Sequence, residues 1–382
     1  MKNGMIKRVG VIGGGQLAWM MADAAAKLGV ELVVQTPAAT DPAVAIAAGK
    51  ILAPVDDTAA TAQLATQCDV ITFENEFVDL KALSSLESQG ICFRPSTHAL
   101  FPLLDKYHQR CYLKDLGLPT PKFSSFPTPH TPHPTPHTPL VLKTRRHGYD
   151  GQGTFILKNQ AELQATVERL QTVPLLLEEF VPFERELAAI AARSVTGEIA
   201  IYPIVETQQE KQVCRRVFAP ATVSQEVVEQ AEAIVRTLLD RLQVVGVFGI
   251  ELFLTPEGKV LVNEIAPRVH NSGHFTLDAC ETSQFEQHLR AVCGLPLGSP
   301  AMHTSAAVMV NLLGYEHSTS DYQTKRQQLA AIPQAQVHWY GKTESRPGRK
   351  LGHVTVLLDE PGKKQHDSAI AIAQTVEAIW YG

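Results

Sequence analysis

Residues 245–274 read VGVFGIELFLTPEGKVLVNEIAPRVHNSGH. Two runs rich in Val, Ile, Leu and Phe flank Thr255-Pro256-Glu257-Gly258-Lys259, which predicts a strand, a turn and a returning strand. Each strand carries one carboxylate among apolar neighbours, Glu251 and Glu264. Folding back at the Pro-Glu-Gly turn brings them opposite or diagonal to each other, about 4.5–8 Å apart. Two like charges at that range in an apolar sheet are unfavourable unless one takes a proton or a cation sits between them. Mg²⁺ suits such a pair, because it keeps several waters and needs only one or two carboxylates beside the phosphate oxygens of a nucleotide. Arg268, His270, Asn271 and His274 follow within ten residues of the second glutamate, where a reaction beside a metal would need polar groups. The plainer alternative is two solvent-facing edge glutamates, each paired with a lysine such as Lys259.

The chain has 382 residues, enough for two or three domains. With 45% hydrophobic and 19% charged residues it has a globular composition, and a net charge of −5 with no large basic tract argues against nucleic-acid binding. Six cysteines, Cys68, Cys92, Cys111, Cys214, Cys280 and Cys293, show no CxxC pair and no ligand spacing, so buried free thiols in a reducing cytoplasm are expected. No apolar run reaches the ~20 residues of a membrane span, and the N-terminus enters a strand without an export signal.

From the N-terminus, residues 8–12 predict a buried strand, followed by Gly13-Gly14-Gly15 and a helix with Leu17, Met21, Ala24 and Leu28 on one face before Gly29. Gly13-x-Gly15-x-x-Ala18 satisfies the dinucleotide fingerprint and raises a rival reading as a NAD-dependent enzyme. That reading needs an acid after the second strand, and Glu31 stands at its start. Further strands are predicted at 50–55, 69–75 and 91–95, alternating with amphipathic stretches in the manner of a doubly wound parallel sheet. Glu74 and Glu76 fall at a strand end, where such sheets face their ligand crevice. A helix over 105–116 then stops at Gly117-Leu118-Pro119.

Residues 126–139, FPTPHTPHPTPHTP, hold six prolines and predict an exposed, extended insertion with no fixed geometry for a metal. Residues 140–144 return to strand and place Lys143 just before Arg145-Arg146 and a glycine-rich loop, Gly148 to Gly153, whose backbone amides can close on phosphates. It is not a Walker A loop. Residues 175–181, LLLEEFV, predict a strand ending in two acids; 184–192 and 198–205 predict a hairpin about Thr196-Gly197; Ser224 caps an amphipathic helix. A last module begins near Ala306 and contains WYGKTESRPGRKLGH, residues 339–353, with four cations within nine residues of an acidic chain.

These motifs, in this order, resemble the ATP-grasp enzymes, and more narrowly the PurK-type 5-(carboxyamino)imidazole ribonucleotide synthases. The resemblance rests on strand-Glu, turn, strand-Asn-Glu and APRVHNSGH, on the lysine followed by RRHGYDGQG, on LLLEEFV, and on KTESRPGRKLGH. Ala266 stands where many ATP-grasp proteins carry a metal-ligating Asn, as it does in PurK-type chains. Ala18-Trp19, His147 and Gln209 depart from the usual GQLGRM, GYDG-preceding Gly and nucleotide-contacting His, and Lys106 stands where Arg is common. The resemblance implies an α/β ATP-grasp architecture: an N-terminal doubly wound domain at 1–115, a lid at 116–183, a main domain with the metal site at 184–300 and a C-terminal α+β module at 301–382.

It also implies an ATP- and bicarbonate-dependent carbon–nitrogen ligase of purine biosynthesis, cytoplasmic and homodimeric, with Mg²⁺ on Glu251 and Glu264. ATP would be met by Lys106, Lys143, the loop Gly148, Tyr149, Asp150, Gly151, Gln152 and Gly153, the hinge Glu178, Glu179, Phe180 and Val181, and by Glu186, Gln209, Asn263 and Glu264. Aminoimidazole ribonucleotide would be met by Gln16, Glu76, Asp150, Asn271, Lys342 and Arg349, and the chemistry by Arg268, His270, Asn271, Tyr149 and Asp150. Two rivals share part of this pattern: another ATP-grasp ligase or transformylase, which should lack the KTESRPGRK stretch, and a non-catalytic nucleotide-binding protein, which should have lost a metal glutamate or the lid lysine.

Overall fold

The structure is a computed structural model that describes residues 6–126, 139–146, 148, 153–170, 173–359 and 364–382, with the side chains of 364 and 365 outside the description. Residues 127–138 of the Pro/His/Thr stretch, His147, Tyr149, Asp150, Gly151 and Gln152 lie outside the described residues, whereas Phe126, expected in the exposed insertion, is buried at the end of strand Phe123–Phe126.

Strands β1 (Arg8–Ile12), β2 (Glu31–Thr36), β3 (Gly49–Leu52) and β4 (Val70–Phe73) form a parallel sheet in the order β3-β2-β1-β4. Helix Ala22–Leu28 between β1 and β2 and helix Thr58–Ala65 between β3 and β4, the latter capped by Asp57, supply crossovers that parallel pairing requires, and helix Leu80–Ser88, capped by Asp79, follows β4. Two expectations fail here. The strand at 91–95 is only a bridge, Phe93 to Ile71, and the helix after Gly15 is two short ones, Gln16–Trp19 and Ala22–Leu28. They part where the Met21 amide bonds to Ala18 O, an i to i−3 contact that tightens the turn.

A second sheet, β5 (Phe123–Phe126), β8 (Leu175–Glu179), β6 (Leu140–Thr144) and β7 (Thr154–Leu157) in that order, is antiparallel. One face packs on Leu163 and Val167 of helix Gln160–Arg169.

The third sheet has nine strands: β9 (Arg185–Arg193), β10 (Ile199–Ile201), β11 (Val205–Glu210), β12 (Val213–Ala219), β13 (Gly246–Leu254), β14 (Val260–Ala266), β15 (Ala306–Leu313), β16 (Ala335–Trp339) and β17 (Lys350–Leu358). The order is β14-β13-β9-β11-β12-β15-β17-β16, with β10 on β9. The expected second hairpin strand at 198–205 thus divides into β10 and β11, because Tyr202-Pro203-Ile204 leaves the ladder where proline cannot donate. Pairing of β12 with β15 carries the sheet from the region of the glutamate hairpin into the C-terminal module without a break.

Helix Gln225–Leu242, capped by Ser224, buries Val227, Ala231, Ile234, Val235, Leu238, Leu239 and Leu242 against β9, β13 and β14. At roughly 1.5–3 kcal/mol per large apolar side chain, this face is a principal anchor of the hairpin that carries the two glutamates. Helix Gln284–Cys293 covers other strands of the sheet and ties in the N-terminal domain. His288 accepts from the Val247 amide at Nδ1 (3.1 Å), so its Nε2 donates to Thr72 (2.8 Å). All six cysteines are free thiols, but only Cys280 and Cys293 are buried and Cys92 is exposed.

Candidate active site

The opening hairpin forms as read. β13 and β14 pair antiparallel with Glu251 directly opposite Glu264, followed by a bulge, and the turn closes through Thr255 N to Lys259 O (2.9 Å). The partner that meets Glu264 is Lys106, not Lys259, so the surface-pair alternative fails. Glu251 has no lysine partner among the described residues; it accepts from the Asn263 amide (3.2 Å) and faces His270 Nε2 at 3.5 Å. Burial, with Glu264 and Glu186 beside it, pushes the Glu251 carboxyl up to about 7. Burial works against Glu264 too, but Lys106 and Lys143 hold it below its usual range. Two carboxylates in register with one poorly neutralised form a donor set suited to a hard divalent cation.

Helix Lys106–Asp115 is capped by Asp105, which accepts from the Tyr107 and His108 amides and is gripped by Arg145. Three side chains at i, i+3 and i+4 then share the face toward the hairpin. Lys106 reaches Glu264; Gln109 brackets the Ile265 backbone, donating to its carbonyl (3.2 Å) and accepting from its amide (3.0 Å); Arg110 pairs with Glu178 and donates to Asn263 O (2.6 Å). The sequence reading named only Lys106 of the three.

Lys143 is buried, donating to Glu178 (2.8 Å) and Asn263 Oδ1 (3.0 Å). Burial lowers its pKa, helped by Arg110 and Lys106 and opposed by Glu178. Glu178, also buried, is driven to about 2: burial would raise it, but Lys143 and Arg110 outweigh that. Its side chain is therefore a counter-charge inside the site, leaving its main chain for any adenine contact. Arg145 and Arg146, which precede the glycine-rich loop, are engaged with Asp105 and with Leu104 O (3.4 Å). Gln209 hydrogen-bonds Glu186, whose carboxyl burial raises to about 6.

At the other side Arg268 grips Glu76 through two bonds, 2.7 and 3.2 Å, so the acid expected at the ribonucleotide holds an arginine. His270 sits over Gly249, where a Cβ would stand 2.5 Å from the His270 Cβ, and bonds Ser272 through Nδ1 (2.8 Å). Lys342 donates to Gln16 Oε1 (2.8 Å) and Lys350 O (2.6 Å), and Arg349 to Glu344 O (2.8 Å). Trp19, at the family's arginine position, packs edge-on to Tyr340.

One cleft of about 840 Å³ is lined by Glu251, Glu264, Lys106, Lys143, Gly148, Asn263, Glu186, Gln209, Phe180 and Val181 together with Arg268, His270, Asn271, Glu76, Gln16, Lys342 and Arg349. A second cavity of about 970 Å³ shares Glu76, Lys106, Gly148 and Glu264 with it and extends over the N-terminal helices. The glycine loop at Gly13 to Gly15 does not offer itself to a dinucleotide. The Glu74 carboxylate occupies it, accepting from the Leu17 amide (3.3 Å) and lying 2.5 Å from where a Gly15 Cβ would be. That side chain fills the space at the glycine loop where a pyrophosphate would have to bind. Glu31 is likewise spent on Arg8 (2.5 Å).

A hairpin-borne glutamate pair met by Lys106 from the adjoining helix, with Lys143 of a small antiparallel sheet behind it and a parallel N-terminal sheet beside it, defines an ATP-grasp protein. Three domain models match in order: the ribonucleotide synthetase preATP-grasp domain at 6–101, the ATP-grasp domain at 111–285 and the phosphoribosylaminoimidazole carboxylase C-terminal domain at 307–367. The chain belongs to the N5-carboxyaminoimidazole ribonucleotide synthase family: it is 55% identical over 379 residues to the enzyme of that name from Synechococcus elongatus, covering 98% of this chain and 96% of the relative. The Synechocystis enzyme is 53% identical, with 98% of each covered. Among solved structures, the synthetase from Thermotoga maritima superposes with a TM-score of 0.87 at 38% identity, covering 98% of each chain. The Aspergillus clavatus synthase in complex with ADP and 5-aminoimidazole ribonucleotide gives 0.88 at 32%, again over 98% of each.

Proposed function

We propose that the chain uses ATP and bicarbonate to carboxylate the amine of 5-aminoimidazole ribonucleotide, releasing ADP and phosphate and yielding the N5-carboxyamino product of purine biosynthesis. The observation that carries this reading is a single cleft in which the glutamate pair and Lys143 share a lining with Arg268, His270, Gln16, Lys342 and Arg349. A bicarbonate oxygen attacks the γ-phosphorus, the bond to the ADP oxygen breaks, and carboxyphosphate forms. The amine nitrogen then attacks the carboxyl carbon, the bond to phosphate oxygen breaks, and the amine gives up a proton. Both steps move charge onto phosphoryl oxygens, so fixed cations and positioning carry most of the catalysis.

Lys143 and Lys106 are the cations for the nucleotide phosphates, with the backbone amides of Gly148 and Gly153 beside them. Main-chain groups of residues 178–181 take the adenine edge, Glu186 with Gln209 the ribose. Glu251 and Glu264, with Asn263 beside them, hold Mg²⁺, which when bound neutralises phosphoryl charge as a Lewis acid. Arg268, kept in place by Glu76, faces the carboxyphosphate; His270 and Asn271 line the amine's side, and Lys342 and Arg349 take the ribonucleotide phosphate. The division at 1–115, 116–183, 184–300 and 301–382 is supported by the separate four-stranded sheets of the first two parts, while the last boundary crosses a continuous sheet. A cytoplasmic homodimer is the setting the family resemblance supports. The test is ADP release: it should require both bicarbonate and aminoimidazole ribonucleotide, with the carboxylated product formed in equal amount. ADP release without the ribonucleotide, or with another amine in its place, counts against the reading.

A further inference from the structure

Behind the cleft, the segment after Arg268 meets the C-terminal module along a polar seam. Asn271 pairs with Asn311, the His274 ring lies against His353 with centroids 5.1 Å apart, and Asp278 accepts from His338 at 2.8 Å. Asn311, His353 and His338 stand directly opposite one another on β15, β17 and β16, a row of three across the sheet. Asp278, His338 and His353 bring ligand atoms within 4.8 Å of one another, but the two rings are stacked with planes 12° apart. An ion in the plane of one imidazole would lie well out of the plane of the other, so the seam is not a chelate.

The carboxamide pair is the part of the seam that reaches the cleft. Asn311 is fully buried and outside the cleft lining, whereas Asn271 borders it. Asn311 Nδ2 donates to Cys214 O (2.9 Å) and to Asn271 Oδ1 (2.8 Å), and its Oδ1 accepts from Asn271 Nδ2 (3.0 Å). A main-chain carbonyl can only accept, so the Cys214 bond decides which end of the Asn311 amide is nitrogen. The reciprocal pair then decides the same for Asn271. That pair uses one of the two hydrogens on Asn271 Nδ2 and leaves the other.

We infer that Asn311 is a positioning residue for the ribonucleotide side of the cleft: it locks the Asn271 carboxamide in one of its two flipped states, so that Asn271 presents an N–H donor to the substrate. The inference rests on the reading of Asn271 as a ribonucleotide contact. Asn311→Ala removes the lock, and the isosteric Asn311→Asp keeps an acceptor for Asn271 but loses both donors. Each is expected to lower kcat/KM for aminoimidazole ribonucleotide by roughly tenfold, the scale of one hydrogen bond, while KM for ATP stays unchanged. Asn271→Ala combined with Asn311→Ala should be no worse than Asn271→Ala alone, because the second residue acts through the first. Thr355→Val, on the neighbouring strand, should leave both substrates as they are.

Additive losses in the double variant, or equal losses for ATP and ribonucleotide, would overturn the inference. So would unchanged ribonucleotide kinetics in Asn311→Ala and Asn311→Asp when Asn271→Ala is impaired. Unchanged kinetics in Asn271→Ala would instead sink the reading of Asn271 itself, and the inference with it. If Asn311→Ala does not fold, the aspartate variant, which fills the same volume, decides the matter.

Discussion

Glu251 is a poorly neutralised acid of the cleft, and its consequences can be measured without substrate. Its folded pKa, about 7, lies above the ~4.3 of an unfolded glutamate, so the folded chain binds this proton more tightly than the unfolded one. Stability from this group is fully present below about 4.3 and declines as pH rises to about 7. In chelator, the wild-type melting temperature should fall across that window more than that of Glu251→Gln, and Mg²⁺ should lessen the difference. Glu251→Gln and Glu264→Gln should each cost roughly a hundredfold or more in turnover while remaining folded, since a Lewis acid contributes several kcal/mol to the transition state. Near wild-type activity at ordinary Mg²⁺ in either variant would refute the metal assignment. The glutamate pair was legible in the sequence because its information is local: two strands folded back at one Pro-Glu-Gly turn set which side chains stand opposite. The Lys106 contact to Glu264 was not, since its partners are separated by much of the chain.

The helix Lys106–Asp115 shows how an element can be read correctly and its function missed. Its limits and stop were legible from Asp105 and from Gly117-Leu118-Pro119, yet Gln109 and Arg110 look in sequence like ordinary helical surface. Only the i, i+3, i+4 spacing from Lys106 pointed to a shared face. What the face meets depends on how lid and main sheet pack, which no local pattern encodes. The resulting Lys143–Glu178–Arg110 cluster balances one buried acid against two cations. Glu178→Gln leaves both cations without that charge, and loss of one partner from a buried pair costs about 3–5 kcal/mol. A large drop in melting temperature is expected, read by calorimetry at neutral pH. Because the folded pKa of Glu178 is depressed to about 2, its contribution is present above the unfolded value and is lost as pH falls from about 4.3 toward 2. The variant should therefore approach wild type in acid; a constant gap down to pH 2 would show that packing, not charge, is responsible.

Across the whole molecule the chemistry is assembled from parts distant in the chain. Gln16 follows the first strand, Arg268 the glutamate hairpin, and Lys342 lies in the last module, yet Lys342 and Gln16 are in direct contact. Each part was legible from its own motif; the nine-stranded sheet that joins the last two was not, because β12 and β15 pair across nearly a hundred residues and nothing local specifies that register. This assembly makes a prediction that separates the two substrates. Lys342→Ala removes a charge from the end of the cleft opposed to no nucleotide contact in the proposed reading. A charge-assisted hydrogen bond is worth about 1.5–3 kcal/mol, so KM for aminoimidazole ribonucleotide should rise roughly ten- to a hundredfold while KM for ATP holds. Arg349→Ala should do the same or more, since a guanidinium grips phosphate with two donors. Where the phosphate also orients the amine, kcat falls with it, because binding energy remote from the reaction is used at the reacting carbon. The loss of the Lys342 bond to Gln16 also loosens the contact between first and last domains, so the melting temperature must be followed alongside. Equal changes in both Michaelis constants with a lower melting temperature would make Lys342 a structural bridge between those domains, and unchanged constants for both substrates would leave Lys342 and Arg349 without a substrate role.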